Sequence, residues 1–373
     1  MTAHLTPKVS FVVPCYMLGH LLADCVNSIL SQTFADFEIL IMDDCSPDST
    51  PEAARSFGDP RVIHVRNERN LGHLANYNKG IRLARGEYVW LISPDDTLRV
   101  RYVLRRFVDF MDSHPGVGYV FCPVVKLQYE QETDVFEWCF HGTQDTVFKG
   151  RNFLANLISA NSVPAPAALV RKECYEKVGL FPLDMPYAGD WYMWCNFALH
   201  YDVGYVAEPM VNYRLHDLNM TKILTHRDPN ILANDNIAVR WRLKRKAEAA
   251  GPRVVVGWCE EAIIGDYVQR LLLPSCGAAD RGKIAFTLEQ FEESLARHSP
   301  DSTAQSRVQA RVYADLGDHY YWGNELIQAR QYYRWALQQK PSMFRVWAKY
   351  VLLLAGYPGL RFRETLVALR RLS

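Results

Sequence analysis

The residues most able to do chemistry in this chain sit in four short stretches of its N-terminal quarter: Pro14-Cys15-Tyr16, Asp43-Asp44 with Ser46 and Asp48, Asn70-Leu71-Gly72 with Asn78 and Gly80, and Asp95-Asp96. Each stretch alone is a weak signal, because acids at loop starts are often turn formers or helix N-caps. Each, however, follows a short apolar run: Val9–Val13, Phe37–Met42, Val62–Val65 and Tyr88–Ile92. Four polar strand ends in succession point to one shared ligand groove. A carboxylate at a strand end can accept hydrogen bonds from a base or a ribose. A later carboxylate pair can hold a hard cation such as Mg2+ or Mn2+ through oxygen, and that cation would neutralise a pyrophosphate. Neither GxxxxGK[ST] nor GxGxxG occurs, which removes the P-loop and dinucleotide-binding Rossmann readings.

The elements that must position these residues alternate in type. Leu21–Gln32 has helical periodicity with Leu22, Val26, Ile29 and Leu30 on one face, and Thr50–Phe57 and Ala75–Ala84 also read as helices, the former capped by Ser49 or Thr50. Strands alternating with helices predict βαβ units and a mostly parallel sheet flanked by helices. Residues 97 to 225 are mixed, with a helix at Leu104–Met111, a strand at Gly118–Val125 and a tryptophan-rich helix at Gly189–His200. Beyond about residue 226 helical patterns dominate, predicting an α/β domain over 1–228 and an all-α domain over 229–373. Within the latter, Ala310–Met343 is a 34-residue unit with Leu316-Gly317, Tyr320, Ala329, Tyr333, Ala336 and Pro341 at tetratricopeptide spacing. A lone repeat cannot bury its own face, so packing on other helices of this chain is preferred to an independent peptide-binding array.

Composition narrows the classes. Lys+Arg total 42 and Asp+Glu 41, for a net charge of +1, which argues against a dedicated nucleic-acid binder. No apolar run reaches the length of a membrane span, and the start reads as a strand rather than a signal peptide. Nine cysteines lie without CxxC spacing, predicting reduced, buried thiols in a cytoplasmic protein and no zinc site.

Taken together, Val9-Ser-Phe-Val-Val-Pro-Cys-Tyr16, Ser28-Ile-Leu-Ser-Gln-Thr33, Ile41-Met-Asp-Asp-Cys-Ser46, Arg69-Asn-Leu-Gly72, Asn78-Lys-Gly80, Arg85-Gly-Glu-Tyr-Val-Trp-Leu-Ile-Ser-Pro-Asp-Asp96, Gly189-Asp-Trp-Tyr-Met-Trp194 and Tyr213-Arg-Leu-His216 resemble the family 2 glycosyltransferases of the GT-A fold. The resemblance ends near residue 225. It implies a metal-dependent, inverting transfer of a sugar from a nucleotide-diphospho-sugar, UDP favoured, to a hydroxyl of a glycan, a lipid-linked glycan or a protein. Bacterial surface polysaccharide or glycoconjugate synthesis is the implied setting.

Carried over by motif, the resemblance implies that Pro14 and Tyr16 line the nucleotide pocket and that Asp44, more than Asp43, contacts the base. Asn70, Gly72, Asn78, Asp95 and Arg214 also fall to donor binding. Asp96 and His216 fall to the Mn2+ or Mg2+ ion, with Ser93 standing where a first Asp is common. Asp190 matches the catalytic base of a Glu-Asp pair whose Glu is here Gly189. Cys15 and Cys45 are read as structural. Two rivals are a catalytically silent nucleotide-sugar-binding scaffold using its helical tail for protein contact, and a nucleotidyltransferase. The second lacks its Gly-rich basic loop in Val13–Gly19. The basic end, Lys340–Ser373, could dock at an anionic membrane face, though a solvated helix face is the preferred reading.

Overall fold

A computed structural model describes residues 6–272 and 286–355, which divide into two compact units, one up to Asp235 and one from Asn236. The first unit begins β1 (Val9–Cys15), α1 (Gly19–Leu30), β2 (Phe37–Asp43), α2 (Thr50–Arg55), β3 (Val62–Arg66), α3 (His73–Leu83) and β4 (Tyr88–Leu91). It continues β5 (Thr97–Leu98), α4 (Val103–Ser113), β6 (Val117–Phe121), β7 (Val124–Gln128), β8 (Gln131–Val135), β9 (Thr146–Phe148) and α5 (Gly150–Ser159). After β10 (Ala168–Arg171) come α6 (Lys172–Val178), α7 (Gly189–His200), β11 (Asp202–Tyr205), β12 (Val211–Arg214) and α8 (Met220–Arg227).

The main sheet has eight strands in the order β3-β2-β1-β4-β10-β6-β11-β9. β1 to β4 are mutually parallel, as the βαβ alternation predicts. β10 is antiparallel to both β4 and β6, and β9 is antiparallel to β11, so the sheet is mixed beyond β4. Every residue of β1 and β2 is buried, which is why these strands read as continuous apolar runs rather than alternating ones. The rings of Phe11, Trp90 and Phe107 stack through the core at 5.4 and 4.9 Å. α3 lies so close to β1 that a Cβ at Gly80 would stand 2.4 Å from Cγ1 of Val12; glycine alone admits that approach.

Two local expectations change. The single strand expected at Gly118–Val125 is two strands in different sheets, because Pro123 lacks the N–H a continuous ladder needs. β7 instead joins the small sheet β5-β12-β7-β8. α2 stops at Arg55, and Ser49 gives it no side-chain cap. The Asp48 carboxylate takes that part, accepting from the amides of Thr50 and Gly19 at 3.1 Å each.

α9 (Ile231–Ala250) crosses the boundary between the units. The second unit continues with α10 (Arg253–Leu272), α11 (Leu288–His298), α12 (Ser302–Trp322), α13 (Leu326–Gln339) and α14 (Phe344–Leu354). Its separate apolar core includes Trp241, Ile263, Tyr267, Phe291, Leu316, Tyr333 and Ala336. Gly317 of α12 lies directly against the Tyr333 ring of α13. Most of the basic end lies outside the described residues. Among those described, no helix is long and apolar enough to cross a membrane.

Candidate active site

Parallel pairing of β1 with β2 and β4 brings the C-terminal ends of these strands to one edge. Asp43, at the end of β2, is fully buried. It accepts from the Ser46 amide at 2.8 Å and meets His64 Nε2 at 3.2 Å and the Arg66 guanidinium. Burial works to raise its pKa, but the Ser46, Arg66 and His64 contacts outweigh that and hold it below the usual carboxylate range. Asp44 shapes the next loop. Its Oδ1 accepts from Asn67 Nδ2 and the Leu71 amide, both at 2.8 Å, and its Oδ2 accepts from the Gly72 amide at 3.0 Å. Asn70 Oδ1 also takes the Gly72 amide, at 2.9 Å. Pro14 is buried in β1, while the Tyr16 ring beyond it is exposed.

Asp95 and Asp96 follow β4, and the register of β12 brings Arg214 and the loop after it onto them. Asp95 Oδ2 receives His216 Nε2 at 3.0 Å and Asn219 Nδ2 at 3.2 Å, whereas its Oδ1 is buried without a hydrogen-bond partner. Asp96 Oδ1 accepts the Arg214 amide at 3.1 Å, and Arg214 Nε donates to the Asp95 carbonyl at 3.0 Å. The Arg214 guanidinium also meets Glu130 and, at 3.3 Å, Asp24. Burial and the neighbouring Asp95 push the Asp96 carboxyl well above its usual range. Burial also works to raise Asp95, but His216 and Ser93 outweigh it and lower the pKa. His216 Nδ1 accepts the Leu218 amide at 3.2 Å, so the Nε2 proton faces Asp95.

Among the described residues no group of three or more His, Cys, Asp or Glu is assembled as a metal cage. The residues present nonetheless fit a hard divalent cation. The orphaned Asp95 oxygen and the elevated Asp96 are what two adjacent buried carboxylates show when a positive charge would relieve them. Magnesium sites on nucleotides typically take only one or two protein carboxylates besides phosphate oxygens.

Asp190 opens α7, the helix expected at Gly189–His200. Its Oδ1 accepts the Trp191 amide at 2.7 Å and its Oδ2 accepts Asn161 Nδ2 at 3.2 Å. Burial raises its pKa to about 6 against these hydrogen bonds. Gly189 is closely packed: a Cβ there would stand 3.2 Å from Leu74 Cδ2, so a larger residue needs that side chain to give by a few tenths of an ångström.

Asn78 does not join the cluster. Its amide is spent on both backbone groups of Phe181, donating to the carbonyl at 2.8 Å and accepting the amide at 2.9 Å. Tyr77 and Tyr213, to which the sequence reading gave no role, lie near it. Desolvation raises both hydroxyl pKa values, and the nearby Asp95, Asp96 and Asp190 carboxylates all add to the effect. The thiol of Cys15 is pushed up by burial to about 12, and such a thiol is inert.

Residues 10–179 match the family model described as glycosyl transferase family 2. The succinoglycan biosynthesis protein ExoO of Rhizobium meliloti is 36% identical over 107 residues, 29% of this chain and 30% of the relative. The glycosyltransferase GlyG of Streptococcus pneumoniae is 38% identical over 97 residues, 26% of this chain and 32% of the relative. An uncharacterized glycosyltransferase of Rickettsia typhi is 24% identical over 58% of this chain and 66% of the relative. The alignments thus span about a third to two thirds of these relatives' lengths. Among solved structures, residues 1–349 of S. aureus TarS in complex with UDP-GlcNAc superpose with a TM-score of 0.61 at 16% identity, over 87% of this chain and 90% of that one. Residues 10–179 are thus similar to glycosyl transferase family 2 domains, and the fold, a mixed α/β sheet with flanking helices followed by a helical C-terminal region, is shared with the TarS structure.

Proposed function

We propose that the chain transfers a sugar, with inversion, from a nucleotide-diphospho-sugar to an acceptor hydroxyl, with a UDP-sugar as the favoured donor. The observation that carries this reading is the pairing of two environments. One is a buried acid pair with Arg214 and His216. The other is a separate carboxylate, Asp190, whose pKa is pushed to about 6. A base poised near the working pH is what proton removal from a hydroxyl requires. Asp190 takes the acceptor proton as that oxygen attacks the anomeric carbon, and the nucleoside diphosphate leaves from the opposite face. One base and no enzyme nucleophile give inversion. Asp96 and Asp95 would hold a Mn2+ or Mg2+ ion, joined by His216 once its Nε2 gives up the proton it shares with Asp95, and the ion when bound supplies charge neutralisation to the departing diphosphate. Tyr16 is exposed for stacking on a base, and Asp44 fixes the loop at Leu71-Gly72.

The UDP-GlcNAc of the TarS complex and the succinoglycan role of the relative support a UDP-sugar donor and a polysaccharide or glycoconjugate acceptor. The α12–α13 pair is proposed to be a tetratricopeptide-like unit that packs within the helical region. Asp190→Asn tests the reading. Asparagine keeps an oxygen for the Trp191 amide at nearly constant shape, so a variant that binds donor normally yet loses transfer about 10²- to 10⁴-fold supports the base assignment. Transfer within about threefold of wild type would end it.

A further inference from the structure

α7 carries the candidate base as its second residue, and Ala188 at the N-cap position offers no side-chain oxygen. The loop that leads into the helix is instead held from far along the chain. Asp235, in the first turns of α9, accepts the Tyr187 amide at 2.7 Å and the Ala188 amide at 3.0 Å, both on Oδ2. Asp235 is 6% exposed, so these bonds are shielded from water. Two further side chains hold the same loop. His73 Nε2 meets the Pro186 carbonyl at 2.9 Å, and Asn78 grips the Phe181 backbone. Burial lowers the His73 pKa, so the neutral imidazole donates this bond.

We propose that Asp235 is a positioning residue for the transfer reaction, fixing the loop 186–188 so that Asp190 meets the acceptor hydroxyl. It lies beyond the residues 10–179 that match the family model and beyond residue 228, where composition places the end of the α/β domain. The catalytic unit therefore includes the start of α9. Gly189 leaves no glutamate beside the base; Asn161 holds the Asp190 carboxylate and Asp235 the loop before it. The inference depends on the transferase reading with Asp190 as base.

The test compares Asp235→Ala, Asp235→Asn and Asp235→Glu in the full chain. Misplacing a catalytic group by about 1 Å can cost on the order of 10²-fold. Asp235→Ala should therefore lower kcat about 10- to 100-fold while donor KM stays within about twofold. Asp235→Asn keeps an acceptor oxygen and should recover most of kcat. Asp235→Glu keeps the charge but displaces it by a methylene; it should lose kcat with donor affinity intact, and it serves if the alanine variant does not fold. Hydrogen exchange of the amides at 187–192 is the arm independent of activity. Protection should fall in the alanine variant and persist in the asparagine variant. A lowered melting point with kcat unchanged well below it, or unchanged exchange at 187–192, would overturn the proposal. Absence of any sugar transfer by the wild-type chain would instead overturn the transferase reading, and the exchange arm would still decide whether Asp235 holds the loop.

Discussion

Removing the Asn161 amide should move the pH dependence of transfer in a calculable way. Asn161 Nδ2 donates to Asp190 Oδ2 at 3.2 Å, and its own Oδ1 accepts the Val163 amide at 3.2 Å, which fixes the end of the amide that faces the base. The bond favours the ionised carboxylate, so its loss raises the Asp190 pKa from its value of about 6. A hydrogen bond to a charged group contributes about 1.5–3 kcal/mol. At 3.2 Å the lower end applies, or roughly one pKa unit. In Asn161→Ala the acid limb of kcat/KM should then move from about pH 6 to about pH 7. At pH 6 the ionised fraction drops from about one half to about one tenth, a loss of roughly fivefold. By pH 8 both proteins are almost fully ionised and the difference should vanish. The nearby Tyr77, Tyr187 and Tyr213 stay neutral throughout this range, since desolvation raises each of their pKa values. Initial rates of nucleoside diphosphate release across pH 5 to 9 measure this directly. A loss of equal size at every pH would refute the reasoning, because it would make Asn161 a packing residue.

Two other outcomes follow from the geometry. Asp96→Ala should abolish Mn2+-dependent binding of UDP with little change in melting point; calorimetry showing unchanged, metal-dependent affinity removes Asp96 from the site. Gly80→Ala places a Cβ 2.4 Å from Val12 Cγ1 and 3.1 Å from Met42 Cγ. Overpacking of this kind costs about 1–3 kcal/mol, and an unshifted urea midpoint would show that α3 has room to move.

The strands β1, β2 and β4 were legible because each is a buried apolar run closed by polar residues, β3 from its short β-branched run although it is half-exposed, and Asp95, Asp96, Asp190, Arg214 and His216 were singled out from local motifs. The division of Gly118–Val125 between two sheets was not, since apolar periodicity continues across Pro123 while the hydrogen-bond ladder does not. Asn161, Tyr77 and Asp235 lie in no motif, and Tyr213, inside one, was given no role. Their importance comes from what the fold brings beside them, 29 residues away in the case of Asn161 and Asp190. Asn78 shows the converse: it lies inside a motif, yet its amide serves the Phe181 backbone. Asp43 and Asp44 look equivalent in sequence, but one is clamped by Arg66 and His64 and the other organises the loop at Leu71-Gly72.

The central claim is that the acid pair and Asp190 act on a nucleotide-diphospho-sugar. The most direct test incubates the wild-type chain with a panel of UDP-, GDP- and dTDP-sugars and Mn2+, and identifies the phosphorus-containing product. Release of the free nucleoside diphosphate, strongest with a UDP-sugar and absent in Asp190→Asn when acceptor is supplied, is the expected result. Release of pyrophosphate would make the chain a nucleotidyltransferase, and tight donor binding with no release at all would make it a silent scaffold; either contradicts the account.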